Sequence, residues 1–508
     1  MTRMDTKPQS ISIRHIFIFQ LFLFVLTFVQ HTNAQQLLWQ RVFNPGGQDE
    51  ARGVAVDYEG NIIVTGTTDP TAIDYKNLAD FFTVKYNSQG DTIWTRRFNV
   101  SSYDHARGVA VDKAGNIIVV GETTTDTATN GDIQVVKYNP NGDTLWTRRY
   151  GKPKERNSTG GVAIDSRGSI IITGFENSTE YGFYNYVTVK YDSNGTLLWT
   201  RWYIGFGDDL AEGIAVDDSD NVVVTGKSEG EMGWDWLTIK YSPGGDTVWT
   251  RRYDLSTDDK AHSVTIDKDG NIIICGELGN IASPNDYYGA VVKYNRQGDT
   301  LWTKKFNKLK NEGVTKFASV ITNDYGDIFL TGTYFQRDIV GYISYNYYVA
   351  KSDSSGDTLW TRLYNYHNDD EPSGITVDKS GNVIVTGTAN HSEVSFAGNF
   401  LTIKLNDIST DVNLHYENHQ PVNFSLKQNY PNPFNPSTMI SYQLPMSSRM
   451  TLKVYDILGK EIATLVDEKK EVGTYIVLWN ASMFTSGVYI ARLTSENFSA
   501  SIKLLLVR

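Results

Sequence analysis

Short runs of β-branched and aromatic residues, bounded by Gly, Asn and Asp, recur along most of this chain in a fixed order. The first set is "GVAVD" (Gly53 to Asp57), "NIIVTG" (Asn61 to Gly66), "FFTVKY" (Phe81 to Tyr86) and "DTIWTRRF" (Asp91 to Phe98). Turn residues flank each run, and the pattern predicts a strand for each, lettered A, B, C and D. The A–B link is nearly always Asp-x-x-Gly-Asn, as in Asp57 to Asn61, and the C–D link Asn/Asp/Ser-x-x-Gly, as in Asn87 to Gly90. Both are tight hairpin turns in which Gly accepts positive φ. Four sequential antiparallel strands make a meander. Gly (43), Tyr (30) and Trp (11) are plentiful and long helix-forming runs are absent, so the fold class is all-β.

The Trp of strand D marks the period. It stands at Trp39, Trp94, Trp146, Trp199, Trp249, Trp302 and Trp360, with gaps of 55, 52, 53, 50, 53 and 58 residues by subtraction. Meanders that are apolar on both faces and repeat every 50 or so residues suit a β-propeller, whose blades pack face to face around an axis. The exported chain opens with a lone D strand around Trp39, and the last unit stops after its C strand, Phe400 to Leu405. Docking the first onto the last completes a seventh blade and removes both free edges. Residues 35–405 thereby resemble the bacterial seven-bladed β-propeller repeat family, a resemblance that implies an architecture and no reaction. Trp146, Arg148 and Tyr150 share one face of the outermost strand by the two-residue period, so the repeated Trp residues read as structural rivets between blades.

Loops on one face of such a disc, the B–C and D–A connections, are long and differ between repeats, and a local function belongs there. Four residues before the A strands stand Asp49, Asp104, Asp209, Asp259 and Asp370, with Asn157 and Thr315 at the remaining two places. A ring of carboxylates near the channel mouth could hold a cation or sugar hydroxyls; alternatively each Asp organises its own turn. Loop aromatics, Tyr184, Trp234, Tyr287, Tyr342 and Tyr345 among them, would suit carbohydrate or protein recognition. Turns such as Asp267, Asp269 and Asn271 invite a calcium reading, but position twelve from Asp267 is Leu278 rather than Glu, so the hairpin reading is preferred. No cofactor or metal is expected beyond that weak calcium signal. The Asp box of sialidases and the vicinal disulfide of quinoprotein dehydrogenases do not fit, and no catalytic motif is present. His105 and His262 lie near the starts of A strands and could approach the channel mouth.

The chain ends say where the protein goes. Arg3, Lys7 and Arg14 precede the apolar run Ile16 to Val29, and Ala34 supplies the small residue a signal peptidase needs, so residues 1–34 read as a signal peptide cleaved after Ala34. No transmembrane anchor is expected after processing. Its removal takes three basic residues and one acidic residue, so the net charge of −11 becomes −13, which disfavours nucleic acid as a partner. The single cysteine, Cys275, lies in an apolar run and reads as a buried thiol. Residues 406–423 break the repeat and read as a linker. Residues 424–508 alternate short strands and turns, which suggests a small immunoglobulin-like β-sandwich. "NYPNPFNPST" (Asn429 to Thr438), "VYDILGKEI" (Val454 to Ile462) and "SGVYIARL" (Ser486 to Leu493) resemble the type A C-terminal sorting domain of the type IX secretion system of Bacteroidetes and relatives. That resemblance implies a partnership with the type IX machinery and delivery across the outer membrane, to a cell-surface or extracellular location.

Together these features predict an exported, monomeric propeller that serves as a non-catalytic recognition module for a glycan or protein. The alternative is a carbohydrate-active hydrolase or lyase using carboxylates at the channel mouth.

Overall fold

The A-to-D order read from the sequence is the hydrogen-bonding order of the strands. In the first repeat Asp49–Val56 pairs with Ile62–Thr68, which pairs with Asp80–Tyr86, which pairs with Thr92–Phe98, all antiparallel. The next four repeats build four-stranded sheets in the same order. The sixth, Glu312–Thr322 through Thr358–Tyr364, does so too and touches the seventh through one parallel pair, Tyr345 with Asp369. In the seventh, Asp369–Val377, Val383–Ser392 and Ser395–Leu405 accept Leu37–Phe43 from the start of the chain as fourth strand, Trp39 facing Lys404 and Phe43 facing Phe400. The chain is all-β, its repeated four-stranded sheets propeller-like, with no helix among the described residues.

This computed structural model describes residues 37–43, 49–68, 79–100, 103–124, 131–151, 155–177, 182–280, 283–306, 312–337, 343–366, 369–392, 395–407, 424–426, 428–429, 432, 434, 437–470, 473–481, 483–495 and 498–507. The signal peptide reading with its cleavage after Ala34, Tyr342 and most of the linker fall outside them. The chain divides into two compact units, Met1–Asn413 and Leu414–Arg508.

Strands B and C are buried along their length, as in Ile62–Thr68 and Asp80–Tyr86, because a sheet stands against each of their faces. The apolar layers accordingly mix successive repeats. Ile171 and Tyr186 pack with Val222, Leu237 and Tyr241, while Val223 and Trp236 pack with Val264, Ile272 and Val292.

Strand A is longer than the sequence pattern suggests and carries a regular irregularity. It begins at or beside the Asp that the pattern places in the preceding turn, as in Asp49–Val56 and Asp209–Val216. Its pairing with strand B slips by one residue in every repeat, at Arg52, Arg107, Gly160, Glu212, His262, Ala318 and Ser373. Such a β-bulge leaves one residue unpaired and re-aims its side chain. The Gly of "NIIVTG" exists for this bulge rather than for a turn: Gly226 faces Ala211, and a Cβ there would overlap the Leu210 carbonyl oxygen.

In the second unit, Ser425–Leu426, Ser437–Leu444 and Gly473–Asn480 form one sheet, and Glu461–Lys470, Ser448–Tyr455, Gly487–Ser495 and Phe498–Leu506 the other. Both contribute to one core around Tyr442, Leu452, Trp479, Leu493 and Leu504. The "NPF" segment clamps the terminal strand: Phe434 N–H donates to Leu505 O at 2.9 Å, Asn432 Nδ2 to Lys503 O at 3.0 Å, and Leu505 N–H to Asn432 Oδ1 at 2.8 Å.

Candidate functional site

The bulged residues share a destination. A cavity of about 400 Å³ opens at the end of the first unit where the A strands begin, lined by Arg52, Gly160, Glu212, His262, Ala318 and Ser373, together with Arg107, Arg156, Ser158, Phe175, Lys316 and Glu371. A narrower space of about 180 Å³ continues from it, sharing the first six of those residues and touching every A strand. The fold is the same in each repeat, but the bulged position is not: Arg, Arg, Gly, Glu, His, Ala and Ser stand there in turn. A column that varies within a constant frame is what a binding surface on a rigid scaffold looks like.

Charge is unevenly distributed around the wall. Arg52, Arg107 and Arg156 come from the first three repeats. Glu50 holds Arg52, and Glu122 holds Arg107 Nη2 at 2.8 Å. The fourth and fifth repeats supply Glu212 and His262, whose Oε2 and Nδ1 lie 2.5 Å apart. Burial opposes charge on both, yet their mutual attraction prevails: His262 is held above its ordinary pKa and Glu212 below its own. Lys316 and Glu371 face each other at 3.7 Å. His105, one of the two histidines placed near the mouth from sequence, is instead pushed down, chiefly by burial.

Of the two roles the sequence leaves open for the five aspartates, the structure supports the organisation of turns over a ligand-facing ring. Asp49, Asp104, Asp209, Asp259 and Asp370 are all 0% exposed. Four of them accept hydrogen bonds from a backbone N–H four residues earlier: Val100 at 2.7 Å, Gly205 at 2.6 Å, Leu255 at 2.9 Å and Tyr366 at 2.5 Å. Ser228 Oγ also donates to Asp209 at 2.5 Å, and burial still raises that carboxyl's pKa. Those four organise their D–A turns, and the hydrolase or lyase reading finds no exposed carboxylate among the five. Asp267 is equally engaged, accepting from Asn271 and from Lys293 Nζ at 2.9 Å, as a hairpin turn requires.

The loop aromatics sit at strand starts rather than on one platform. Tyr184 packs edge-on against Phe175 at 5.0 Å, Trp234 lies under Lys227 Nζ at 5.1 Å, and Tyr345 contacts Phe335 at 6.1 Å. Tyr287 donates to Asp258 and lies under Lys260; burial and that carboxylate push its hydroxyl up to about 12. None of these four lines the cavity. Cys275 is fully buried, and burial pushes its thiol up.

Comparison with known proteins divides at the same place as the fold. Residues 428–507 match the secretion system C-terminal sorting domain family. Residues 41–70, 93–126 and 359–393 match the β-propeller repeat family. The sorting domain implies interaction with secretion machinery and export across the outer membrane to the cell surface or beyond. A WD repeat-containing protein of unknown role from Acanthamoeba polyphaga mimivirus is 25% identical over 207 residues, 31% of this chain; the match spans 15% of that relative's length. Among solved structures, a copper-bound fungal alcohol oxidase of the AA5 family is 12% identical with a TM-score of 0.49, covering 94% of this chain and 100% of its own. The polysaccharide lyase Uly1 is 9% identical with a TM-score of 0.46 over 73% and 99%. The β-propeller domain of the Trilobed protease from Pyrococcus furiosus is 13% identical with a TM-score of 0.42 over 70% and 93%. At these scores none of the three assigns an activity to this chain.

The rivets that hold the site's frame have a second member that the sequence pattern left unnoticed. Trp94 Nε1 donates to Pro140 O at 3.1 Å, in the C–D turn of the next repeat, and Lys85 Nζ donates to the same oxygen at 3.2 Å. Trp146 with Lys137, Trp199 with Lys190, Trp249 with Lys240, and Trp302 with Lys293 converge likewise on the carbonyls of Ser193, Pro243, Arg296 and Ser354. Each Lys is almost fully buried and pairs with a carboxylate of its own A–B turn, as Lys85 does with Asp57 at 2.9 Å. The Arg two residues after Trp stacks on the indole, Arg96 lying 5.2 Å from the Trp94 ring, and donates to the turn glycine, Gly142 O, at 2.7 Å. At the chain ends the pair splits: Trp39 and Lys404 meet on Ser88 O at 3.1 and 3.2 Å. Trp360 and Lys351, which have no such turn to reach, use the Asp407 carboxylate at 3.1 and 2.6 Å. The signal for these lysines was in the sequence, in the constant "VK" or "IK" of most C strands.

Proposed function

We propose that this chain is an exported, closed seven-bladed β-propeller that recognises a glycan or protein ligand without catalysis, joined to an immunoglobulin-like sorting domain. The observation that carries the recognition role is the axial cavity, whose lining varies from repeat to repeat while the frame around it does not. Ring closure is supported by the A strands, which touch in cyclic order until Asp369–Val377 returns to Asp49–Val56, and by the meeting of Trp39 and Lys404 on one carbonyl. Two sheets around one core support the sandwich. In this reading the signal peptide is removed after Ala34, the sorting domain delivers a monomer through a bacterial outer membrane, and the propeller works at the surface or free outside the cell.

The test is an array of glycans and peptides probed with the mature chain and with Ser373→Trp, which fills the cavity from one wall. Binding that the substitution abolishes supports the proposal. A parent protein that binds nothing on either array rejects it. Turnover of a polysaccharide lost in Glu212→Gln or His262→Gln would replace recognition with catalysis by that pair.

A further inference from the structure

We propose that the axial cavity takes an oxyanion-bearing saccharide, its carboxylate or sulfate group gripped by Arg52, Arg107 and Arg156. The inference rests on the recognition reading above and names its ligand class. In a chain of net charge −11, guanidinium groups from three consecutive repeats line one cavity. Each keeps donors in reserve. Arg107 gives Nη2 to Glu122, while its buried Nε has no acceptor among the described residues. Arg52 is held by Glu50 through one terminal nitrogen, and the exposed Arg156 has no ion pair among the described residues. Glu50 and Glu122 are not part of the cavity wall, so they orient two of the forks without filling the space in front of them. Guanidinium forks match the two oxygens of a carboxylate or sulfate, and the match is strongest where water is excluded.

The remaining wall selects the body that carries the anion. Ser373 offers a hydroxyl, Phe175 an apolar ring, and the paired Glu212 and His262 a donor and acceptor set. Sugar hydroxyls and the apolar face of a pyranose satisfy these groups; the side chain of an acidic peptide leaves them unmatched. The volume of about 400 Å³ falls within the range of small-molecule sites, roughly 300–1,000 Å³.

Isothermal titration of the mature chain at low ionic strength decides the matter, with tetragalacturonate, its methyl-esterified form, a sulfated neutral oligosaccharide, its desulfated form and hexaglutamate as probes. The expected result is binding of the uronate or the sulfated sugar, at least about tenfold weaker for the neutralised counterpart and for Arg156→Gln, which removes a surface guanidinium and leaves the melting temperature unchanged. Arg107→Gln should weaken binding similarly. The inference is overturned if neither anionic sugar binds, if the neutralised forms bind equally, if hexaglutamate alone binds, or if Arg156→Gln changes nothing. A neutral sugar blocked by Ser373→Trp would keep the recognition role and discard the anion.

Discussion

Truncating Trp39 to Ala probes whether the two ends of the propeller are locked together. The indole is 6% exposed, lies 6.2 Å from the Tyr86 ring with Arg41 at 5.5 Å, and donates to Ser88 O at 3.1 Å. Its internal counterpart Trp249 is 8% exposed, has Arg251 at 5.4 Å, and donates to Arg296 O at 3.2 Å. Replacing a buried Trp by Ala costs about 3–5 kcal/mol through lost burial and the cavity left behind. The acceptor carbonyl adds little, because Lys404 still reaches Ser88 O. Trp39→Ala and Trp249→Ala should therefore destabilise the propeller transition by similar amounts, about 3–5 kcal/mol each in calorimetry of the mature chain. A docked first strand is what makes the two equal. If Trp39→Ala stays within about 0.5 kcal/mol of the parent while Trp249→Ala loses the full amount, the closure is wrong.

Four further outcomes are expected. Lys240→Ala leaves the buried Asp217 carboxylate, 2.9 Å from the lost ammonium, without its cation and should cost about 3–5 kcal/mol in urea unfolding. Burial opposes charge on Asp57, Asp112, Asp165, Asp217, Asp267 and Asp378, but hydrogen bonds from the turn and the paired Lys hold each below its ordinary value. Their stabilisation is complete above the unfolded value of 3.8 and is lost as pH falls through the depressed folded values, so the melting temperature should drop steeply in acid below that value. Gly226→Ala pushes a methyl group into the Leu210 carbonyl opposite the bulge and should lower stability by at least about 1–3 kcal/mol, where Gly60→Ala, whose added Cβ meets no atom, pays only for its positive φ. Phe434→Ala removes a ring 2% exposed from the core of the second unit, about 3–5 kcal/mol, and should make the terminal strand a protease target while the propeller transition stays in place.

Strand order, repeat length and the rivet role of Trp were legible because each rests on a local signal: the two-residue alternation, the Gly of the hairpin turns, and a ring repeated once per unit. The axial site was harder to read for a physical reason. Its residues sit on β-bulges, where the alternation slips by one, so a strict two-residue count carries past Arg52 and Glu212. The usable sign was the contrast between the constant "GVAV" frame and the varying residue before it. The aspartates left two readings open, and the structure supports the one expected of a residue repeated in step with the fold: it serves the fold, as Asp209 does at 0% exposure in its turn. The lysines of strand C were passed over because Lys is ordinarily a surface residue. Only the structure brings them to an Asp of their own sheet and, for all but Lys351, a carbonyl of the next.

The claim that matters most is that ligands enter along the axis. Hydrogen exchange of the mature chain, with and without a ligand found on the arrays, tests it directly. The account expects protection concentrated in residues 52–54, 107–109, 158–162 and 210–214, which line the cavity and the space that continues from it. Protection confined to outer strands such as Thr144–Tyr150, with those four segments unchanged, would contradict it.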